Sequence, residues 1–191
     1  SIGAAGGFLW VGAVTAAIGG CSEVQPSSLA QDESAPPAFI YPGQAPVVSD
    51  QGLRGLLVRL DADCSVIWVF DRGTACPSTA QLLAEHRDAL RLQDVALVGL
   101  YTGQPEDWSS RVVPILKQGD ANFPCAVLEP ASHSTAGVWL ARRAAVPAPG
   151  LYVLSAARRV VLRAGADHSS MRSCLHQLAH DPKSASRPGG I

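Results

Sequence analysis

"VFDRGTACPSTAQLLAEH", residues 69–86, joins two kinds of sequence pattern at one cysteine. The run that leads into it, "SVIWVF" (65–70), is β-branched and aromatic throughout, as expected of a strand buried on both faces. It stops at Asp71. A short turn carries Cys76, and residues 78–92 then place Leu82, Leu83, His86 and Leu90 on one side of a helix. Ser78 and Gln81 fit an S-x-x-Q capping box. Alternatively, Pro77 is the first helical residue and Cys76 is the cap. Either way Cys76 lies at a helix N-terminus, where unpaired N–H groups and the helix dipole favour a thiolate. Arg72, in the same turn, is a candidate for added positive charge.

Working outward, the chain alternates strands and helices. "GLLVRL" (55–60) reads as a short leading strand, and "VALVGLY" (95–101) as a second buried strand. A helical region over 108–118 is interrupted by Pro114. "PCAVLE" (124–129) reads as a short strand, and 134–145 as a helix through Val138, Trp139 and Leu140. "LYVLS" and "RVVLRAG" form a hairpin turning at 156–158. A closing helix, 167–180, shows Met171, Cys174, Leu175 and Leu178 at helical spacing. The expected fold class is α/β: a mixed central sheet, parallel where helices cross over and antiparallel at the hairpin, covered by helices on both faces.

The 191 residues are enough for one domain and a tail, and 47% of them are hydrophobic. A net charge of −1 without a basic run excludes a nucleic-acid partner. The five cysteines (Cys21, Cys64, Cys76, Cys125, Cys174) contain no CxxC pair, so no zinc ribbon is expected and a dithiol redox site is incomplete. P-loop, GxSxG, HExxH and GxGxxG motifs are absent, and no cofactor is expected. His176 and His180 share a helix face at i, i+4 without a third ligand and read as surface histidines. His133 and His168 carry no assignment. Cys125 and Cys174 read as core.

Residues 1–22 contain no charge before Glu23 and are long enough to cross a bilayer as a helix. Gly12, Ala16 and Gly20 recur every four residues, a small-residue stripe that suits close packing against another membrane helix. The same stretch ends in "IGGC" before Ser22. This is similar to a bacterial lipobox, which implies lipidation at Cys21. Residues 23–52 carry five prolines and read as an extended tether, 53–180 as the folded domain, and 181–191 as a tail. Both readings of the first segment put the domain on the periplasmic or lumenal side of a membrane.

Over roughly 53–180 the chain resembles the thioredoxin-like superfamily. Three features carry this: "VIWVF" running into a cysteine-bearing turn and helix, Pro149 in "VPAPGLYVLS" before the hairpin, and "RVVLRAG" before the last helix. The segment between the second strand and "PCAVLE" is similar to the insertion of the peroxiredoxin-like (AhpC/TSA antioxidant) branch. The resemblance implies a three-layer sandwich and a reactive Cys76 faced by a cis-Pro149. Thr79 stands where thioredoxins carry a second cysteine, and Gly73 where peroxiredoxins carry a threonine. Arg72 stands where copper-delivering Sco proteins, similar in "CPST" and "YTGQPEDW", carry a cysteine. Two functions follow. One is a membrane-anchored single-cysteine thiol peroxidase or reductase using Cys76. The other is a non-catalytic accessory subunit, in which a degenerate thioredoxin-like domain docks to a larger membrane complex.

Overall fold

The computed structural model describes residues 45–182. The segment 1–22, with Gly12, Ala16, Gly20 and Cys21, lies outside the described residues, as do most of the expected tether and tail. Among the described residues no helix is long and apolar enough to cross a membrane.

The chain order is β1 (Val47–Val48), α1 (Asp50–Arg59), β2 (Cys64–Phe70), α2 (Pro77–Leu92), β3 (Val95–Tyr101) and α3 (Pro105–Asp107). A π-helical turn, Trp108–Val112, leads into α4 (Val113–Gln118). Then follow β4 (Cys125–Leu128), α5 (His133–Ala141), β5 (Gly150–Ser155), β6 (Val160–Ala164) and α6 (His168–His180). The strands form one sheet in the order β1-β4-β3-β2-β5-β6. β1, β4, β3 and β2 are parallel neighbours, and β5 and β6 are antiparallel additions. The expected mixed sheet is therefore present, with β2 at its centre.

Burial explains that position. Every residue of β2 is buried, and alternate side chains feed two cores. Val66, Trp68 and Phe70 pack with α2, α4 and α6, while Ile67 and Val69 pack with α1 and α5. Trp68 and Phe70 stack with centroids 3.9 Å apart, and burying side chains of this size contributes roughly 2–3 kcal/mol each. The packing leaves no room on the neighbouring strand: a Cβ on Gly99 would lie 2.8 Å from Cys125 Sγ.

Four sequence expectations are corrected. "GLLVRL" is not a strand but the end of α1, whose buried residues Leu53, Leu56 and Leu57 have helical spacing. A six-residue apolar run does not distinguish the two by itself. Ser49 starts that helix by accepting the Gly52 N–H at 3.1 Å. Part of the stretch read as tether is folded. Val47–Val48 pair with Val127–Leu128 as the sheet edge, and α1 begins at Asp50. The helix expected to reach residue 145 ends at Ala141, because Arg142 turns left-handed with φ 57°. The chain then folds back so closely that a Cβ on Gly137 would overlap the Ala145 carbonyl oxygen at 1.8 Å.

The fourth correction concerns Pro149, expected to follow a cis peptide bond. No peptide bond among the described residues is cis. The bend into β5 is made by Gly150 at φ 147°, where a Cβ would also lie 2.4 Å from the Ala164 carbonyl oxygen.

Candidate functional site

The central strand delivers the site. β2 leaves the sheet at Phe70, and Asp71 closes the turn on Thr74. The Asp71 N–H donates to Thr74 Oγ1 at 3.0 Å, and Asp71 Oδ1 accepts from the Thr74 N–H and hydroxyl, each at 2.9 Å. This reciprocal box engages the Thr74 hydroxyl with Asp71. The residue just past β3 supports the turn, because Thr102 donates through both its N–H and its hydroxyl to the Phe70 carbonyl.

Cys76 then caps α2, with Pro77 in the first turn. Of the two sequence readings of this helix start, this is the one observed. Gln81 does not reach back as a capping box would but donates to Glu85 at 2.9 Å. The Cys76 Sγ is half-buried and lies 3.5 Å from Ser78 Oγ and 2.9 Å from Thr79 Oγ1. Desolvation pushes the thiol pKa up. The hydroxyls of Ser78 and Thr79 and the backbone N–H groups of Thr79 and Ser78 outweigh it, and the net displacement is downward from the ordinary 9.0. Sγ makes no strict capping hydrogen bond, so those amides act on it through space.

The other described cysteines behave oppositely. Burial pushes Cys64 and Cys174 up to about 11 and Cys125 up to about 12. None of the four is in a disulfide. Cys76 is thus the one described thiol that is both accessible and biased toward its thiolate.

Arg72 is exposed in the turn, and no hydrogen bond or ion pair ties it to Cys76. Its charge is felt instead at Tyr101, whose phenol is pushed up by burial and by Asp107 and Asp71, against Arg72 and Arg111. Pro149 is half-buried immediately before β5. Val69 pairs with Gly150, so Pro149 lies alongside the end of β2 from which the Cys76 turn departs. The structure brings Cys76, Arg72 and Pro149 to one end of the sheet.

His176 and His180 face one another on α6 with ring centroids 4.4 Å apart. No group of three or more metal-ligating side chains occurs among the described residues. Sequence reasoning missed the contribution of Ser78 and Thr79. The signal was a cap followed by hydroxyls at i+2 and i+3, the positions whose side chains and amides curl back onto an N-cap side chain.

No protein-family model matches the sequence, and no curated protein matches it. Among solved structures, the thioredoxin domain of a thiol-disulfide oxidoreductase from Bacteroides vulgatus is similar, with a TM-score of 0.50 and 11% identity, over 64% of this chain and 84% of that one. A thiol:disulfide interchange protein from Bacteroides sp. is similar at a TM-score of 0.50 and 11% identity, over 79% of this chain and 93% of that one. At such identities the likeness establishes the architecture. The fold is thioredoxin-like, α/β, with a mixed sheet between helices.

Proposed function

We propose that the protein is a single-cysteine thiol redox protein of peroxiredoxin-like plan, with Cys76 as its nucleophile. The observation that carries this reading is the contrast among the cysteines. Cys76 is half-exposed with its pKa lowered, while Cys64, Cys125 and Cys174 are buried with theirs raised. On a hydroperoxide, the thiolate forms an S–O bond as the O–O bond breaks. Sulfur loses two electrons and becomes a sulfenic acid, and the departing alkoxide or hydroxide takes a proton from water. With the other described thiols buried, an external thiol must attack the sulfenic sulfur. That step releases water and leaves a mixed disulfide, which a second external thiol reduces. Attack on a small disulfide enters the same cycle at the mixed-disulfide stage.

Thr79 at 2.9 Å from Sγ favours a second reading. It occupies the place where thioredoxins hold their resolving cysteine, as suits a non-catalytic accessory subunit in a membrane complex. In both readings we place the domain on the periplasmic or lumenal side. It would be held there by residues 1–22, through the Gly12, Ala16 and Gly20 helix face or through lipid on Cys21. This placement is supported by the sequence pattern.

Alkylation of the full chain by iodoacetamide across pH tests the assignment. Catalysis predicts modification of Cys76 first, with a midpoint below 9.0, and trapping of a sulfenic acid by dimedone after one equivalent of peroxide. Failure of Cys76 to label below about pH 8, together with no dimedone adduct, would leave the accessory reading.

A further inference from the structure

Of the two edges of the sheet, β1 is two residues long, whereas β6 runs five residues and, among the described residues, pairs with β5 alone. An unpaired rim of N–H and C=O groups is a template for another strand. A groove flanks this rim on each face of the sheet. One groove of about 400 Å³ lies between β6 and α6, over Leu162, Ala164, Ser173 and Cys174. Another of about 260 Å³ lies on the opposite face, between β6 and the end of α5, over Leu140, Ala141, Val160 and Val161. A strand added in the plane of the sheet sends alternate side chains to opposite faces, so one row would enter each groove.

Charge selects which strand fits. Arg142 and Arg163 both line the second groove, both are exposed, and neither is in an ion pair among the described residues. Arg143 is exposed next to Arg142, and Arg163 stacks over the Tyr152 ring at 5.1 Å. Among the described residues no carboxylate lines the second groove, whereas the Asp167 carboxylate sits at the rim of the first, bonded to Ser169 and Ser170. The β5–β6 pairing is irregular between Val153 and Leu154, and Val161 has no partner on β5. A bulge of this kind increases the local twist, and regular pairing with β5 holds over residues 162–164.

We propose that β6 is a docking edge for an extended acidic segment of a partner protein. The segment would add as a seventh strand, with carboxylates directed at Arg142 and Arg163 and an apolar residue between them over Val160. This edge is independent of the chemistry at Cys76.

A fluorescein-labelled peptide, Glu-Thr-Val-Thr-Glu, tests this by anisotropy against the full chain. Three controls are needed: the same peptide with lysine for glutamate, the same peptide with its internal amides N-methylated, and the Arg142→Glu/Arg163→Glu variant. Saturable binding of the acidic peptide is expected. It should weaken at least about fivefold in each control, with amide resonance shifts centred on residues 160–164. Absence of saturation overturns the proposal. So does equal binding of the N-methylated peptide, which would reveal charge attraction without strand pairing. Self-association of the chain through β6 that the peptide fails to displace also overturns it, since a second copy would then be the occupant. If the double variant does not fold, the two peptide controls on the unaltered chain decide.

Discussion

Thr79 is 5% exposed and holds its hydroxyl 2.9 Å from the Cys76 sulfur, while the exposed Ser78 holds its own at 3.5 Å. When Cys76 is a thiolate both hydroxyls donate to it, and when it is a thiol that preference vanishes. Their removal therefore moves the pKa up, toward 9.0. A hydrogen bond to a charged group contributes on the order of 1.5–3 kcal/mol when dry, and solvent reduces this at a half-exposed sulfur. We predict that Thr79→Ala and Ser78→Ala each slow iodoacetamide labelling of Cys76 at neutral pH by roughly two- to fivefold. The alkylation midpoint should rise in both. An unchanged midpoint in Thr79→Ala would show that Ser78 and the helix amides set the thiolate without the Thr79 hydroxyl. Cys76 was legible in the sequence because Pro77 fixes a helix start. The two hydroxyls were not, because Thr79 was read against the cysteine it replaces, and its contact depends on how the cap backbone curls.

At the scale of elements, legibility followed burial and length. β2 and β3 were readable because continuous β-branched and aromatic runs suit a strand buried on both faces. α1 was misread because its buried Leu56–Leu57 pair sits in an apolar run as short as a strand, with the first contact, Leu53, outside it. β1 left no pattern at all, since a two-residue strand has no period. The start of α6 was readable, and it carries a pH signature. The Asp167 carboxylate accepts the Ser170 N–H at 2.8 Å and the Ser169 hydroxyl at 2.8 Å. These bonds, the Ser170 N–H foremost, hold its pKa at about 2, below the ordinary 3.8. The native state thus releases this proton more readily than the unfolded chain. The cap's contribution is complete above 3.8 and is lost as pH falls through about 2. Asparagine caps without titrating. The Tm difference between the unaltered chain and Asp167→Asn should therefore be largest near neutrality and shrink as the pH is lowered through this window. A difference that stays constant with pH would show that the carboxylate charge does not contribute.

At the scale of the whole molecule, the reactive cap is held by parts of the chain far from it in sequence. β2 fixes the turn at one end, Thr102 just past β3 supports the Phe70 carbonyl, and Gly119 at the end of α4 closes on the first turn of α2. None of this last contact was legible, because it joins two helices through a residue with no side chain. A Cβ at Gly119 would lie 2.4 Å from the Pro77 carbonyl oxygen, 2.6 Å from Ala80 Cβ and 3.0 Å from the Gln81 nitrogen. Two of these are backbone atoms of a formed helix, so α4 or the start of α2 has to move. Overpacking of this kind costs about 1–3 kcal/mol. We predict that Gly119→Ala lowers stability in urea by that amount. Because it displaces the turn that carries the Ser78 and Thr79 donors, it should also raise the Cys76 alkylation midpoint. The two readings separate the outcomes. Lost stability with unchanged reactivity would mean that β2 and the Asp71–Thr74 box hold the cap alone. A parallel change in both would mean that the sheet end and α4 together position the sulfur.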